Sequence, residues 1–247
     1  MGKMRLSYYD SIAPYWDIMY SSEPFYRKGF AFIDSYRQKN NLPKKILDVA
    51  CGTGQLLAIF EIEGYDAYGS DISPAFLRIA RKKLKHAHLK RKPYQEISFP
   101  TTFPIIISFF NSFAYCQDSK TFIRTLKNLR NLLTENGILI FDLVLTDQMK
   151  EDVFGTKEYF SGNVSISRSM HAHAKDRKWY TKMVYFILEN RKSKIIAEKT
   201  VRGIFSRAEM VDIIKKSGYK IDYIGKGYFD TTFVIRKLEN RKTKSNN

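Results

Sequence analysis

From Lys45 the hydrophobic pattern reads as a buried strand, Ile46-Leu47-Asp48-Val49-Ala50, then a turn, Cys51-Gly52-Thr53-Gly54. Leu56, Leu57, Ile59, Phe60 and Ile62 follow at helical spacing. The unit then repeats. Ala67 to Ile72 predict a second strand, Ser73-Pro74 supplies an N-cap with proline at the first helical position, and Phe76, Leu77, Ile79, Ala80 and Leu84 mark the next helix. Ile105 to Phe110 predict another buried strand, Phe122, Ile123, Leu126, Leu129, Leu132 and Leu133 another helix, and Gly137 to Val144 another strand. Strands alternating with helices imply an α/β fold: a mostly parallel, doubly wound sheet with right-handed crossovers and helices on both faces.

The flanks read differently. Residues 1–42 are rich in aromatics, including Tyr15-Trp16-Asp17-Ile18-Met19-Tyr20, and predict a helical cap. Residues 151–205 break the alternation, with strand-like stretches at Val164 to Ala174, Trp179 to Leu188 and Ile195 to Ile204 divided by polar turns. These predict a small antiparallel meander inserted into the α/β domain. Ser206-Arg207-Ala208-Glu209 has capping-box form and opens a helix with Met210, Ile213 and Ile214 inward. Tyr219 to Ile224 and Thr231 to Lys237 complete the sheet. The α/β domain thus spans 43–150 and 206–238, and 239–247 is expected to be a flexible basic tail.

Composition narrows the setting. The 247 residues are 44% hydrophobic, enough for a sizeable core, and no apolar run is long enough to span a bilayer. A cytoplasmic protein without a membrane partner is expected. Cys51 and Cys116 are the only cysteines, which excludes a disulfide framework. The net charge of +17 leaves two readings: an anionic partner such as RNA, or a basic bias that aids solubility.

The chemistry concentrates between residues 48 and 72. Glycines after the first strand let a ligand approach the backbone, the following helix offers free N–H groups, and Asp71, closing the second strand, can accept both hydroxyls of a ribose. Tight packing of strand on helix is the alternative use of such small residues. Leu57 occupies the place of a third fingerprint glycine, so adenosine without a pyrophosphate fits better than NAD.

Ile46 to Gly54, taken with Gly69-Ser70-Asp71-Ile72-Ser73-Pro74, resembles the S-adenosylmethionine (SAM) motifs of class I methyltransferases, which are Rossmann-like. Tyr8-Tyr9-Asp10-Ser11-Ile12-Ala13, Phe109-Phe110-Asn111-Ser112-Phe113 and the late insertion resemble its small-molecule members, including sugar-amine N,N-dimethyltransferases. The resemblance covers most of residues 7–237 and implies a final antiparallel strand. It places Ala50, Gly52 and Gln55 near the methionine part of SAM, with Asp48, Cys51 and Gly54 in the same segment, Asp71 on the ribose and Ile72 against the adenine. Phe76, Tyr94, Phe109 and Asn111 join that set, with Tyr9 and Tyr20 over the methionine end. Two departures stand out: Lys92-Pro93-Tyr94-Gln95 replaces an acidic residue beside the adenine, and Pro104 stands where the fourth strand often begins with Asp. Gln95 or a backbone carbonyl would then hold the adenine amino group.

His171 and His173 share a strand face with Ser165, Ser167 and Ser169; a polar face explains them, no third ligand is evident, and no metal is expected. The reading is methyl transfer to a small-molecule nucleophile, an amine first, by in-line displacement. No catalytic residue is fixed by this reading; Tyr20 and His171 are the candidates if a base is used. RNA methylation and a degenerate SAM-binding protein remain alternatives, and the meander offers a surface for homo-oligomer contact.

Overall fold

The computed structural model describes residues 7–20, 22–148, 152–228 and 231–238. The expected basic tail, the first six residues of the expected cap and residue 151 lie outside them.

Strands β1 (Lys45–Val49), β2 (Asp66–Asp71), β3 (His88–Arg91), β4 (Phe103–Ser108) and β5 (Leu133–Leu143) are joined by helices α3 (Gln55–Ile62), α4 (Pro74–Lys83) and α5 (Ser119–Leu132). After α6 (Arg207–Lys216), β10 (Tyr219–Lys226) and β11 (Thr231–Lys237) complete a seven-stranded sheet in the order β10-β11-β5-β4-β1-β2-β3. β11 runs antiparallel to both β5 and β10, while β1 to β5 are mutually parallel. The expected sheet, including its antiparallel last strand, is the one observed. Every residue of β4 is buried, which is why its sequence is a continuous apolar run rather than an alternation.

Each face of this sheet has its own core. α5 and α6 cover one side, with Phe122, Leu126, Leu129, Met210 and Ile213 against Leu139, Phe141 and Phe233. On the other, Leu56, Leu57 and Phe60 of α3 and Ala80 of α4 pack with Ile46, Ile105 and Ile107, joined by Tyr26 and Ile33 of α2 (Glu23–Lys39). The edges of the elements shift where local geometry overrides periodicity. β4 ends at Ser108, because Phe110 and Asn111 turn into the left-handed region (φ 61° and 57°). Leu133, assigned to α5 by spacing, is already extended and opens β5.

Residues 152–203 form a second, four-stranded antiparallel sheet in the order β6-β7-β8-β9: β6 (Asp152–Ser161), β7 (Val164–Lys175), β8 (Lys178–Glu189) and β9 (Lys192–Gly203). The meander therefore has four strands rather than three. β6 is an edge strand with no buried residue, so no burial alternation announced it. On β8 alternate residues are buried. Met183, Tyr185 and Ile187, with Ile166 and Ile196, pack on Ile12, Tyr15 and Met19 of α1 (Ser7–Tyr20). No helix among the described residues is long and apolar enough to cross a membrane.

Candidate active site

The turn after β1 is built from left-handed backbone. Ala50, Gly52 and Gly54 have φ of 63°, 56° and 75°. That conformation costs an L side chain about 1 kcal/mol, so Ala50 is held by its surroundings. The two glycines serve different ends. A Cβ on Gly52 would meet no atom within 4 Å, leaving open space beside the backbone, whereas one on Gly54 would press on Leu84 at 3.0 Å and Ala80 at 3.2 Å. Gly54 thus permits the turn to pack on α4, and Gly52 leaves room for a ligand.

At the end of β2 the Asp71 carboxylate accepts the Gly52 N–H (2.9 Å) through Oδ2 and the Ser73 N–H (2.8 Å) through Oδ1. Each oxygen keeps a lone pair. Burial raises the Asp71 carboxyl above its ordinary range, partly opposed by those N–H bonds. Asp48 is pushed well up by burial and then by the Asp71 charge beside it. Two buried carboxylates side by side favour a cationic guest.

Helix α1 is fastened over this turn by two aspartates. Asp10 accepts from the Ser73 hydroxyl (2.8 Å) and the Ala75 N–H (3.3 Å). Asp17 accepts from the Thr53 hydroxyl (2.6 Å) and pairs with Lys83 (2.9 Å). Between α1, the C-terminal ends of β1, β2 and β4 and the inner face of the second sheet lies one cavity of about 760 Å³.

Its walls are unlike. The main sheet supplies Asp48, Ala50, Cys51, Gly52, Gln55, Asp71, Ile72, Phe76, Tyr94 and Phe109, together with Lys92, Pro93 and Gln95, while α1 contributes Tyr9 and Trp16. The opposite wall carries Glu198, Thr200 and Arg202 of β9 with Tyr115. Tyr9 and Tyr115 share a hydroxyl hydrogen bond (2.5 Å), and Arg202 donates to Tyr115 (3.4 Å). Burial first, and Tyr115 next, hold the Tyr9 hydroxyl well above its usual range, so it stays protonated. Burial opposes the charge on Arg202, but its hydrogen bond to Tyr115 and the nearby Glu198 carboxylate keep it in the charged form. Among the described residues the Thr200 hydroxyl and the Arg202 Nε–H are buried without a protein partner.

Eleven of the fourteen residues expected at the site therefore line one cavity. Three do not. Asn111 is buried with its Oδ1 accepting the Val144 N–H (3.2 Å), locking two strand ends rather than facing a ligand. Gly54 faces α4. Tyr20 packs at a tilt on Trp16 (4.5 Å between ring centroids) and its hydroxyl accepts from Arg168 (2.5 Å), off the cavity wall. His171, the other candidate base, lies on the far side of the second sheet, paired with Asp152 (2.8 Å) and stacked on Phe154 (4.3 Å). Glu198, Thr200 and Arg202 went unnoticed in the sequence; period-two spacing puts them on one face, but only the docked sheet shows that this face roofs a cavity.

A sequence profile described as a methyltransferase domain matches residues 23–222. The chain belongs to this methyltransferase family. YqeM of Bacillus subtilis (strain 168), named as a methyltransferase without an acceptor, is 23% identical over 231 residues, 90% of this chain and 91% of its own. The dTDP-3-amino-3,4,6-trideoxy-alpha-D-glucopyranose N,N-dimethyltransferase of Streptomyces venezuelae is 28% identical over 109 residues, 44% of this chain and 46% of that one. In fold, the methyltransferase superposes on Streptomyces venezuelae DesVI with a TM-score of 0.83 at 18% identity, covering 90% of this chain and 97% of that one. It is a class I, SAM-dependent methyltransferase, and its cavity suits that cofactor. The opening beside Gly52 admits a group against the backbone, Asp71 keeps acceptor capacity for a diol, and the Asp48–Asp71 pair favours positive charge.

Proposed function

We propose that the enzyme methylates an amine on a small, hydroxylated acceptor, of the sugar-amine kind acted on by the Streptomyces venezuelae relative. The observation that carries this reading is the single cavity with two unlike walls. A roof formed by α1 and the second sheet suits a small molecule rather than a polymer.

On this reading 43–150 with 206–238 hold SAM, 1–42 cap it and 151–205 face the acceptor. Asp71 accepts the ribose hydroxyls, Ile72 and Phe76 flank the adenine, Gln95 or a nearby carbonyl meets its amino group, and Ala50, Gly52 and Gln55 border the methionine part beneath Tyr9. Bound there, SAM supplies an electrophilic methyl on a sulfonium. The chain's task is to align an uncharged amine with it and exclude water. Glu198, buried on the opposite wall, accepts a hydrogen bond from the amine and takes up its proton after transfer; Arg202 and Thr200 offer donors to neighbouring oxygens of the acceptor. The outer face of the second sheet, where Val184, Phe186, Leu188 and Ile195 are exposed, is where copies of the chain would meet.

Calorimetric titration with SAM and S-adenosylhomocysteine (SAH), comparing wild type with Asp71→Ala, tests the cofactor half. Affinity should fall at least tenfold, about 1.4 kcal/mol, on losing a charge-assisted pair of hydrogen bonds. A screen of amino sugars against simple amines tests the acceptor half: turnover of simple amines alone would remove the hydroxylated class. Folded wild type that binds neither SAM nor SAH would sink the whole reading.

A further inference from the structure

Nearly half of the net charge of this chain falls in one short stretch. Residues 78–92 hold eight Lys and Arg and no Asp or Glu, so this stretch alone carries +8 of the net +17. The structure places it along one edge of the molecule. On α4 the apolar residues Ala75, Phe76, Leu77 and Ala80 are buried, which turns Arg78, Arg81 and Lys82 outward, and Lys85 continues the same i, i+3, i+4, i+7 stripe past the helix end. β3, the edge strand of the main sheet, follows directly and delivers Arg91 and Lys92 at its end, beside the cavity mouth.

The carboxylates around this edge are already engaged. Asp17 holds Lys83, Asp10 holds the start of α4, Asp66 pairs with Lys45 and His88, and Glu61 accepts the N–H groups of Lys85, His86 and Ala87. The next carboxylate along the chain, Glu96, lies in the loop after β3 and makes no ion pair among the described residues. Arg78, Arg81, Lys82, Lys85 and Lys92 have no ion-pair partner among the described residues.

We propose that this edge, the α4 stripe with the end of β3, is a docking surface for the phosphate backbone of a nucleic-acid duplex. Clustered, unpaired cations on a regular element gain most from a partner whose negative charges are closely spaced and whose counterions are released on contact. Two features decide against other anionic partners. No large apolar side chain is exposed between residues 78 and 92, and the apolar face of α4 is spent on the core, so nothing here inserts into a bilayer. The stripe also lacks the exposed aromatics on which single-stranded bases stack. Such binding reads phosphates and not sequence. It does not depend on which small molecule receives the methyl group.

Fluorescence anisotropy with a labelled DNA duplex of about 20 base pairs, titrated over a range of salt, tests this directly. With five unpaired cations engaged, the plot of log affinity against log salt should have a slope of about −4.5. Neutralising Arg78, Lys82 and Lys85 to Gln should reduce the slope by about 2.7, while Lys127→Gln, Lys215→Gln and Lys220→Gln, of equal charge change on the α5, α6 and β10 side, should leave it within about one unit. SAH affinity, unchanged in both triple variants, shows that they are folded and separates this result from any failure of the methyltransferase reading. Equal losses in the two triples mean diffuse charge and overturn the proposal. So does binding of phosphatidylserine vesicles in preference to the duplex, or a single strand held more tightly than the duplex.

Discussion

Asp48 and Asp71 show how a residue can be placed against its own comfort. Both carboxyls are raised by burial, and Asp48 also feels Asp71. A carboxyl whose folded value exceeds its unfolded one destabilises the empty protein when ionised, and that cost is relieved as the pH falls through the raised value. Asp48→Asn should therefore raise the Tm of the ligand-free protein by about 2–4 °C for each kcal/mol relieved. The same change should weaken SAM at least tenfold, because a cationic guest loses a buried counter-charge, and should weaken the uncharged thioether SAH less; calorimetry and a thermal melt read the binding and stability effects separately. The places of Asp48 in the first strand and Asp71 at the end of the second were legible in the sequence; that the two carboxyls lie side by side was not, since it follows from the pairing of β1 with β2. Asn111 and Gly54 stand off the cavity wall for a shared reason. Their partners, Val144 and the pair Ala80 and Leu84, lie about 25 to 35 residues away along the chain. Local spacing carries no trace of them.

Elements differ in how plainly they announce themselves. The helix after Ser206 is specified by its own first turn: Ser206 and Glu209 cap each other's backbone, as their spacing predicts. Ser206→Ala should cost about 1 kcal/mol in urea unfolding. Glu209 is held below its ordinary range first by the Ser206 N–H and, after opposing burial, by Arg177. A lowered folded value means that its stabilisation is complete above about pH 4.3 and is lost as the pH falls further, so the stability gap between wild type and Glu209→Gln should close in acid. β6 is the opposite case, an edge strand visible only through its pairing with β7. For α1, periodicity gives the helix but not its office, because the Asp10 and Asp17 bonds reach Ser73, Thr53 and Lys83. Asp17→Ala removes one of the two fastenings over the Gly-turn. SAH should dissociate about tenfold faster by stopped flow, with the melting curve little changed; an unaltered rate would mean that α1 does not control cofactor exit.

At the scale of the molecule, two sheets and α1 jointly enclose a space that neither sheet could close alone. The order of the main sheet was readable because each strand–helix unit repeats one pattern, whereas the docking of the second sheet rests on Ile12, Tyr15 and Met19 meeting Tyr185 and Ile187. A ligand bound only by the assembled cavity should stabilise the whole chain. SAH at about a hundred times its Kd adds about 2.7 kcal/mol, which a thermal melt should show as a single transition raised by roughly 5–10 °C. A shift in one of two separate transitions would mean that the sheets unfold independently.

The chain has two tryptophans, and one of them, Trp16, stands in the cavity wall, 4.5 Å from Tyr20 and 5.0 Å from Phe76. Its indole is carried on α1, so it moves with the helix that covers the Gly-turn. The molecule therefore contains an intrinsic optical probe at its own entrance: a change in tryptophan emission on filling the cavity reports occupancy and helix position together, with no dye attached.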